Sequence, residues 1–422
     1  MELATANAVS FPHAVFLYRA TDEEVTSPEV RLGQGAFLVL RLVDLLAPDR
    51  KSLVVDAFRY QCAATDRYCR ELDTDSPEAA HLHGLVRTAS EARRRKNVRL
   101  LAPALLAYAH YLEDDAHYEE ALDVLWTLFQ VAGDRLKESD SIAARLRTAR
   151  LNRKLARFDE AEAAYAEAAA LATATGDRHS VLLSRLGQAE ALRGRGNLAD
   201  AERCLRTILS ETQAAGDRDA QALAEHLLSA ALVTQGQPAE AITHAWRAFE
   251  LYDGEASRMR ALNDVGIMLR ALGDVAGAEQ AFNEVVRRAS GHDQDTNAVI
   301  ELLECASLRR DRVAFTRLRS ECRKREPRMA PNMRVDFHLK QGIGHARFGD
   351  FRRAESSLDR ALALAEEAGL HEFVFRIERI KSGFRDCERE LVGAPLEAAE
   401  PQWNESLQEV RAALGQLAQA GA

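Results

Sequence analysis

Histidine and cysteine are the residues of this sequence best suited to hold a metal or to attack a substrate. The six cysteines are scattered, and none forms a C-x-x-C pair or joins a histidine at metal-ligand spacing. His81 and His83 point to different sides of a predicted helix. His338 and His345 share one face, but Asp, Glu and Cys are missing at ligand spacing. The pattern predicts no metal site, no cofactor and buried, reduced cysteines.

Catalytic motifs are missing from the sequence as well. It has no phosphate-binding G-x-x-x-x-G-K-[ST], no H-E-x-x-H, no G-x-S-x-G and no dinucleotide-binding fingerprint. Gly342 and Gly344 flank one isoleucine where two helices would pack, so close helix approach explains them better than phosphate binding. We therefore expect a protein that is not an enzyme.

Basic residues form the remaining chemical signal. Between Arg309 and Arg328, nine Arg or Lys face three acidic residues, a local net charge of +6. A solvated helix face and a contact patch for phosphate or an acidic protein are both open interpretations. We call this segment the second basic patch, with these candidates: Arg309, Arg310, Arg312, Arg317, Arg319, Arg323, Lys324 and Arg325. A shorter run covers residues 93–96.

An internal repeat predicts the elements that carry these residues. A phrase made of a small residue, an apolar residue two positions on, an acidic or polar residue and a closing alanine recurs six times. The closing alanines are Ala121, Ala161, Ala201, Ala241, Ala278 and Ala354. The last interval, 76 residues, is two periods, and the degenerate copy Arg310–Phe315 lies between with phenylalanine in place of alanine.

Helical periodicity surrounds each phrase. Apolar residues follow each closing alanine in steps of four and three, which places them on one helical face. A second helical segment precedes each phrase, and glycine followed by aspartate separates several repeats. The unit is therefore helix–turn–helix with a period of 37–40 residues.

The Gly-x-apolar-x-[DE]-Ala phrase resembles the tetratricopeptide repeat, over about residues 97–370. Its long period is similar to the variant of bacterial peptide-sensing regulators and of adaptor proteins. The resemblance implies an all-α, right-handed α-α superhelix with capping segments. It also implies that the first helix of each repeat lines a concave groove for a peptide. The predicted organisation is a cap or appendage at 1–47, a divergent hairpin at 48–96, the array at 97–370 and C-terminal helices at 371–422.

Alignment on the closing alanine places groove-facing residues about 8–18 positions upstream of it. The candidates for partner binding are Arg147, Arg150, Arg153, Lys154, Glu190, Arg193, His226, Arg260, Asn263, Asp264, Arg270, Lys340 and Arg347. They predict a basic lining and hence an acidic protein or peptide partner. A family clamp for a C-terminal carboxylate uses Lys and Asn, and here only Asn263 comes near it.

The two ends depart from the repeat. Val15–Tyr18 could form a strand, and 35–46 reads as an apolar helix. Near the other end, Trp403, Leu407, Val410, Leu414 and Leu417 recur in steps of four and three. This stripe predicts an amphipathic helix that either caps the last repeat or docks a second copy as a homodimer.

Overall charge and hydropathy bound the function. The net charge is −9, the basic clusters lack a series of interleaved aromatics, and no apolar run approaches ~20 residues. We expect no membrane span, no nucleic-acid partner and a cytoplasmic location. The first hypothesis is a protein- or peptide-binding scaffold, regulatory or adaptor in role. The alternatives are a peptide-responsive signalling regulator that changes superhelix shape, and an accessory subunit of an enzyme.

Overall fold

The computed structural model describes residues 11–20, 27–48, 55–73, 75–289, 293–390 and 405–420. Within these ranges the regular structure is helical throughout, which confirms the all-α prediction. The helices are α1 (Pro28–Asp44), α2 (Val55–Arg70), α3 (Pro77–Arg95), α4 (Leu101–Asp114), α5 (Tyr118–Ala132), α6 (Glu138–Lys154), α7 (Phe158–Thr175), α8 (Arg178–Gly194), α9 (Leu198–Ala215), α10 (Arg218–Thr234), α11 (Pro238–Leu251), α12 (Glu255–Ala271), α13 (Val275–Arg288), α14 (Asp293–Leu308), α15 (Arg312–Arg325), α16 (Pro331–Arg347), α17 (Phe351–Glu367), α18 (His371–Glu390) and α19 (Glu405–Ala420).

Six consecutive helix pairs pack together, each joined by a short turn: α4 with α5, α6 with α7, α10 with α11, α12 with α13, α14 with α15 and α16 with α17. We call the even-numbered helices from α4 to α16 the A helices, and the odd-numbered helix that follows each of them the B helix. The six closing alanines lie on B helices and are fully buried, because a side chain of this size lets the two helices of a pair approach closely. The repeat found in the sequence is therefore the packing unit of the fold.

The first residue of every repeat phrase has left-handed backbone geometry. Glycine occupies this position in four of the seven copies, where φ lies between 77° and 89°. Ala116, Ala156 and Arg310 hold it in the others, with φ of 62°, 56° and 58°. Arg310 thus marks the degenerate repeat as a true copy, since it makes the same turn. A side chain with a Cβ atom is strained in this geometry.

Replacing the strained residues by glycine should stabilise the chain. We expect Ala156→Gly and Arg310→Gly each to raise the free energy of unfolding by roughly 0.5–1 kcal/mol, because glycine adopts positive φ without a Cβ clash. Urea denaturation measures the change. Gly196→Ala, at the equivalent turn, is the matched control and should lower stability by a similar amount. A loss of stability in either glycine variant would contradict the explanation.

In the degenerate repeat a large residue replaces the small closing alanine, and a glycine on α16 leaves room for it. Phe315 replaces the closing alanine and is buried, and a Cβ added to Gly344 would collide with its ring. A Cβ on Gly342 would lie 2.8 Å from Leu358 Cγ. Both glycines therefore provide room between α16 and its neighbours, which confirms that they serve helix packing.

The chain divides into two compact units, residues 1–197 and 198–422, which are described separately. In unit 1, one apolar core runs from Phe16 through α1 to α6 and includes Leu40, Leu85, Leu105 and Leu128. The N-terminal segment thus shares its core with the following helices. The predicted boundaries at 47, 96 and 370 stay predictions.

The predicted strand at 15–18 is wrong. Ala14–Ala20 forms a 3₁₀ helix, since one short apolar run without a partner strand cannot satisfy its backbone in a sheet. Buried polar side chains fix it: Arg19 binds Glu78 and Glu120, and His13 lies between two aspartates. These contacts join the start of the chain to α1, α3 and α5.

The buried surroundings of His13 should make the stability of unit 1 depend on pH. Its Nδ1 lies 2.5 Å from Asp123 and its Nε2 lies 3.1 Å from Asp44. Burial alone lowers the pKa of His13, but the hydrogen bonds and charges of Asp123 and Asp44 outweigh burial and raise it to about 9. Protonated His13 therefore stabilises the fold fully below its unfolded pKa of ~6.5, and this stabilisation is lost as pH rises through about 9.

We expect His13→Gln to cost on the order of 3 kcal/mol near pH 6.5, and progressively less toward pH 10. Urea denaturation measures the free energy of unfolding of the wild type and of His13→Gln across this pH range. Groups that titrate alike in both proteins cancel in the difference between the two values. A difference that does not change with pH would show that His13 is not the titrating group.

The C-terminal helix forms as predicted, but its position corrects both interpretations of it. α19 packs against α11 and α13 instead of covering the last repeat. Leu407, Val410 and Leu414 are buried there, so the stripe expected to dock a second copy is already covered within the chain. Trp403 lies outside the described residues, and Leu417 is half-buried.

Candidate functional site

The predicted partner-binding residues all lie on A helices. A helices of successive repeats contact one another: α4 with α6 and α6 with α8 in unit 1, and α12 with α14 and α14 with α16 in unit 2. Side chains on neighbouring A helices can therefore pair across the repeats. The two units differ in the numbers of basic and acidic side chains that pair in this way.

Glu113 is the centre of the unit 1 site. This carboxylate, at the end of α4, is buried with only 4% of its side chain exposed. Its oxygens lie 2.6 Å from Arg147 Nη1, 2.6 Å from Arg150 Nε and 3.2 Å from Lys154 Nζ. Two turns of α6 thus direct three cations at one acid. Lys154 also lies over the ring of Tyr118, 4.8 Å from its centroid.

A second acid continues the site toward α8. Glu190 is buried and binds Arg193 at 2.8 Å, and Arg153 lies 3.6 Å from its other oxygen. We define the unit 1 cluster by these residues: Glu113, Arg147, Arg150, Arg153, Lys154, Glu190 and Arg193. Five bases and two acids give the cluster a net charge of +3. Its cations are 18–43% exposed, so the excess charge faces solvent.

The pKa of Glu113 shows which effect dominates in the cluster. Burial raises the pKa of this carboxyl, but Arg150, Lys154 and Arg147 outweigh burial and hold it below its usual range. Burial also lowers the pKa of Lys154, an effect that Glu113 opposes. Glu113 is therefore ionised at neutral pH and holds its cations in place.

The unit 2 candidates have other partners. His226 contacts Asp264 through Nε2 at 2.7 Å and the Tyr252 hydroxyl through Nδ1 at 3.1 Å, so both ring nitrogens are occupied. Asn263 is buried, and Arg260 is exposed.

Three further unit 2 candidates are neutralised by acids. Arg270 binds Glu301 and Glu304 at 3.1 and 2.8 Å. Lys340 lies 2.7 Å from Glu301 and 2.6 Å from Asp336, and Arg347 lies 3.7 Å from Glu304. Three bases meet three acids, a net charge of zero. The predicted basic lining is thus wrong for this part of unit 2.

Glu113, Glu301 and Glu304 are absent from the predicted residues, although their positions in the repeat could have been read from the sequence. Glu113 lies eight residues before Ala121, the position that Arg153, Arg193 and Arg270 hold in their own repeats. Glu301 and Glu304 take groove positions of the degenerate repeat, counted back from Phe315. Applying one register to all seven copies, bases and acids alike, would have located them.

The second basic patch lies mainly on α15, a B helix. Much of its charge is already paired: Arg309 with Glu279, Lys324 with Glu321, and Arg325 with Asp295 and Glu321. Arg312 donates to the Phe348 carbonyl, and Arg319 contacts His345. The exposed members Arg310, Arg317 and Arg323 remain candidates for an acidic contact.

No group of three His, Cys, Asp or Glu in the described ranges could hold a metal ion. None of the described helices is long and apolar enough to cross a bilayer.

Comparisons with known proteins identify the fold. The Rap conjugation gene regulator of plasmid pLS20, solved in complex with the Phr* peptide, aligns with 88% of this chain and 100% of its own, at TM-score 0.52 and 14% identity. The apo form of the quorum sensor NprR from B. thuringiensis aligns over 82% and 91%, at 0.51 and 11%.

The fold is a tetratricopeptide-repeat solenoid. This confirms the resemblance found in the sequence. No family model and no curated protein matches the chain. At such low identity the structural likeness establishes the architecture alone.

Proposed function

We propose that this tetratricopeptide solenoid is a non-catalytic scaffold that binds an acidic peptide, or an acidic segment of a protein, on the unit 1 cluster. The net charge of +3 on the unit 1 cluster is the observation that carries the proposal. Regulation or assembly of other proteins is the role that such a scaffold serves.

The arrangement of the cluster supports an extended acidic ligand. The buried carboxylates of Glu113 and Glu190 form ion pairs with the cations, and part of each cation remains exposed to solvent. Because these ion pairs already restrict the arginine side chains, binding costs less conformational entropy than it would on free arginines. Arginine also presents several donors to a carboxylate, which favours paired hydrogen bonds.

A charge-neutralising variant tests the proposal. Arg150→Gln, Arg153→Gln and Arg193→Gln together bring the cluster from +3 to zero and leave Arg147 and Lys154 on Glu113. Because the variant leaves the buried Glu190 without its two cations, circular dichroism first establishes that it is folded. With fluorescein-labelled octaglutamate as probe, we expect anisotropy titration to show roughly 10- to 100-fold weaker binding, or about 1.4–2.8 kcal/mol.

Two matched controls separate the site from bulk charge. Arg203→Gln, Arg352→Gln and Arg360→Gln together remove as much charge from exposed B-helix positions and should leave affinity nearly unchanged. Labelled octalysine should not bind the cluster. Equal losses in both triple variants would exclude the cluster as the site.

A second candidate function is a peptide-responsive regulator, favoured by the two solved structures. One of them is a quorum sensor and the other a gene regulator holding a peptide. Under this proposal a short peptide changes the shape of the chain as well as binding to it. Small-angle scattering with and without saturating octaglutamate tests this: a changed profile supports a switch, and an unchanged one favours a static scaffold.

A further inference from the structure

Two B helices of unit 2 pack against a helix that is distant in sequence. α19 lies on α11 and α13, more than 115 residues before it in the chain. Leu407, Val410 and Leu414 are spaced by three and four, so they form one stripe, and all three are buried. Gln408, Glu409, Ala412 and Gln416 on other faces are exposed. α19 thus binds α11 and α13 with one narrow stripe.

Polar contacts fix the register of this helix. Arg411 Nε lies 2.6 Å from Asp274 Oδ2, and its Nη1 donates to Gln280 Oε1 at 3.2 Å. Gln280 Nε2 donates in turn to the Leu414 carbonyl at 3.3 Å. A Cβ on Gly277 would lie 2.8 Å from Arg411 Cδ, so glycine leaves room for the arginine. Charge, hydrogen bonds and shape therefore all select one position of α19.

We infer that the face of α11 and α13 beneath α19 is a receptor site for an amphipathic helix of the pattern Leu-x-x-Val-Arg-x-x-Leu, and that α19 occupies it in cis as a separable ligand. The inference does not depend on the unit 1 cluster. Residues 391–404, fourteen in number, separate α18 from α19 in the sequence. Three buried apolar side chains, one ion pair and two hydrogen bonds hold the helix, a small interface for the ordering of sixteen residues. Because α19 belongs to the same chain, its local concentration at the site is high, which keeps the site filled.

A peptide experiment tests this directly. The probe is a fluorescein-labelled synthetic peptide of residues 403–422, titrated into the full chain and into a chain ending at residue 404. We expect binding to the shortened chain and roughly 100-fold weaker binding to the full chain, because the tethered copy competes.

A double-mutant cycle identifies the site. Asp274→Asn keeps an efficient cap for α13 and removes the charge. Arg411→Gln in the peptide should weaken binding to the shortened chain about tenfold, yet have little effect on the Asp274→Asn chain. Additive effects, or equal binding to the full and shortened chains, would overturn the inference.

A second variant covers the case in which the shortened chain does not fold. In the full chain, Leu407→Ala with Leu414→Ala should release α19 and open the site to the unmodified peptide. No binding to this folded variant would also overturn the inference. A concentration-dependent dimer of the full chain that disappears with Leu414→Ala would support it, as occupation of the site by a second copy.

Discussion

Glu113→Ala is expected to lower the free energy of unfolding of unit 1 by about 3–5 kcal/mol. Three cations of α6 converge on this buried carboxylate at 2.6–3.2 Å. Without it, Arg147, Arg150 and Lys154 would repel one another in a partly buried site with no anion to offset them. Breaking a buried ion pair from one side costs far more than an exposed pair contributes.

Urea denaturation of the full chain, read by circular dichroism, measures this loss. Glu119→Ala is the matched control, because Glu119 is about half exposed and pairs with Arg157 on the surface. The control should change stability by less than about 1 kcal/mol. A loss for Glu113→Ala no larger than that of the control would contradict the description of the cluster.

Lys340→Met should cost a similar 3–5 kcal/mol in unit 2. The Lys340 ammonium is buried within 2.7 Å of Glu301 and 2.6 Å of Asp336. Burial raises the pKa of Glu301, but Lys340 and Arg270 reverse this and lower it. Burial raises the pKa of Asp336 despite Lys340. Methionine would fill the space of the lysine stem and leave two buried acids without their shared cation.

The same denaturation assay, with Lys324→Met as control, tests this prediction. Lys324 pairs with Glu321 on the surface and is 72% exposed, so its replacement should change stability by less than about 0.5 kcal/mol. In Lys340→Met, protonation of Glu301 and Asp336 should recover part of the loss at pH 5. Stability equal to the wild type at pH 7 would show that the network contributes nothing.

The sequence predicted the repeat because the repeat is local. Each closing alanine and each turn is determined by a few neighbouring residues, and even Arg310 follows the register of its copy. The direction of the A-helix side chains followed from the same register. Fold class and candidate residues could therefore be predicted without any contact information.

Pairing between repeats could not be predicted in the same way. Glu113 neutralises residues 34–41 positions later, and Glu301 pairs with Lys340 across 39. Leaving Glu301, Glu304 and Asp336 out of the predicted lining therefore overestimated the charge of unit 2. The position of α19 depends on contacts that are still more distant in the sequence. Its apolar stripe predicts an amphipathic helix, but the stripe does not indicate that the helix packs on α11 and α13.

The unit 1 cluster, and not the second basic patch, is proposed to receive an acidic ligand. Photo-crosslinking of diazirine-labelled octaglutamate to the full chain, mapped by mass spectrometry, decides between the two surfaces. We expect crosslinks in α6 and α8, within 138–154 and 178–194, which are lost in the Arg150, Arg153 and Arg193 triple variant. Crosslinks concentrated in α15, within 312–325, and unaffected by that variant would contradict this proposal.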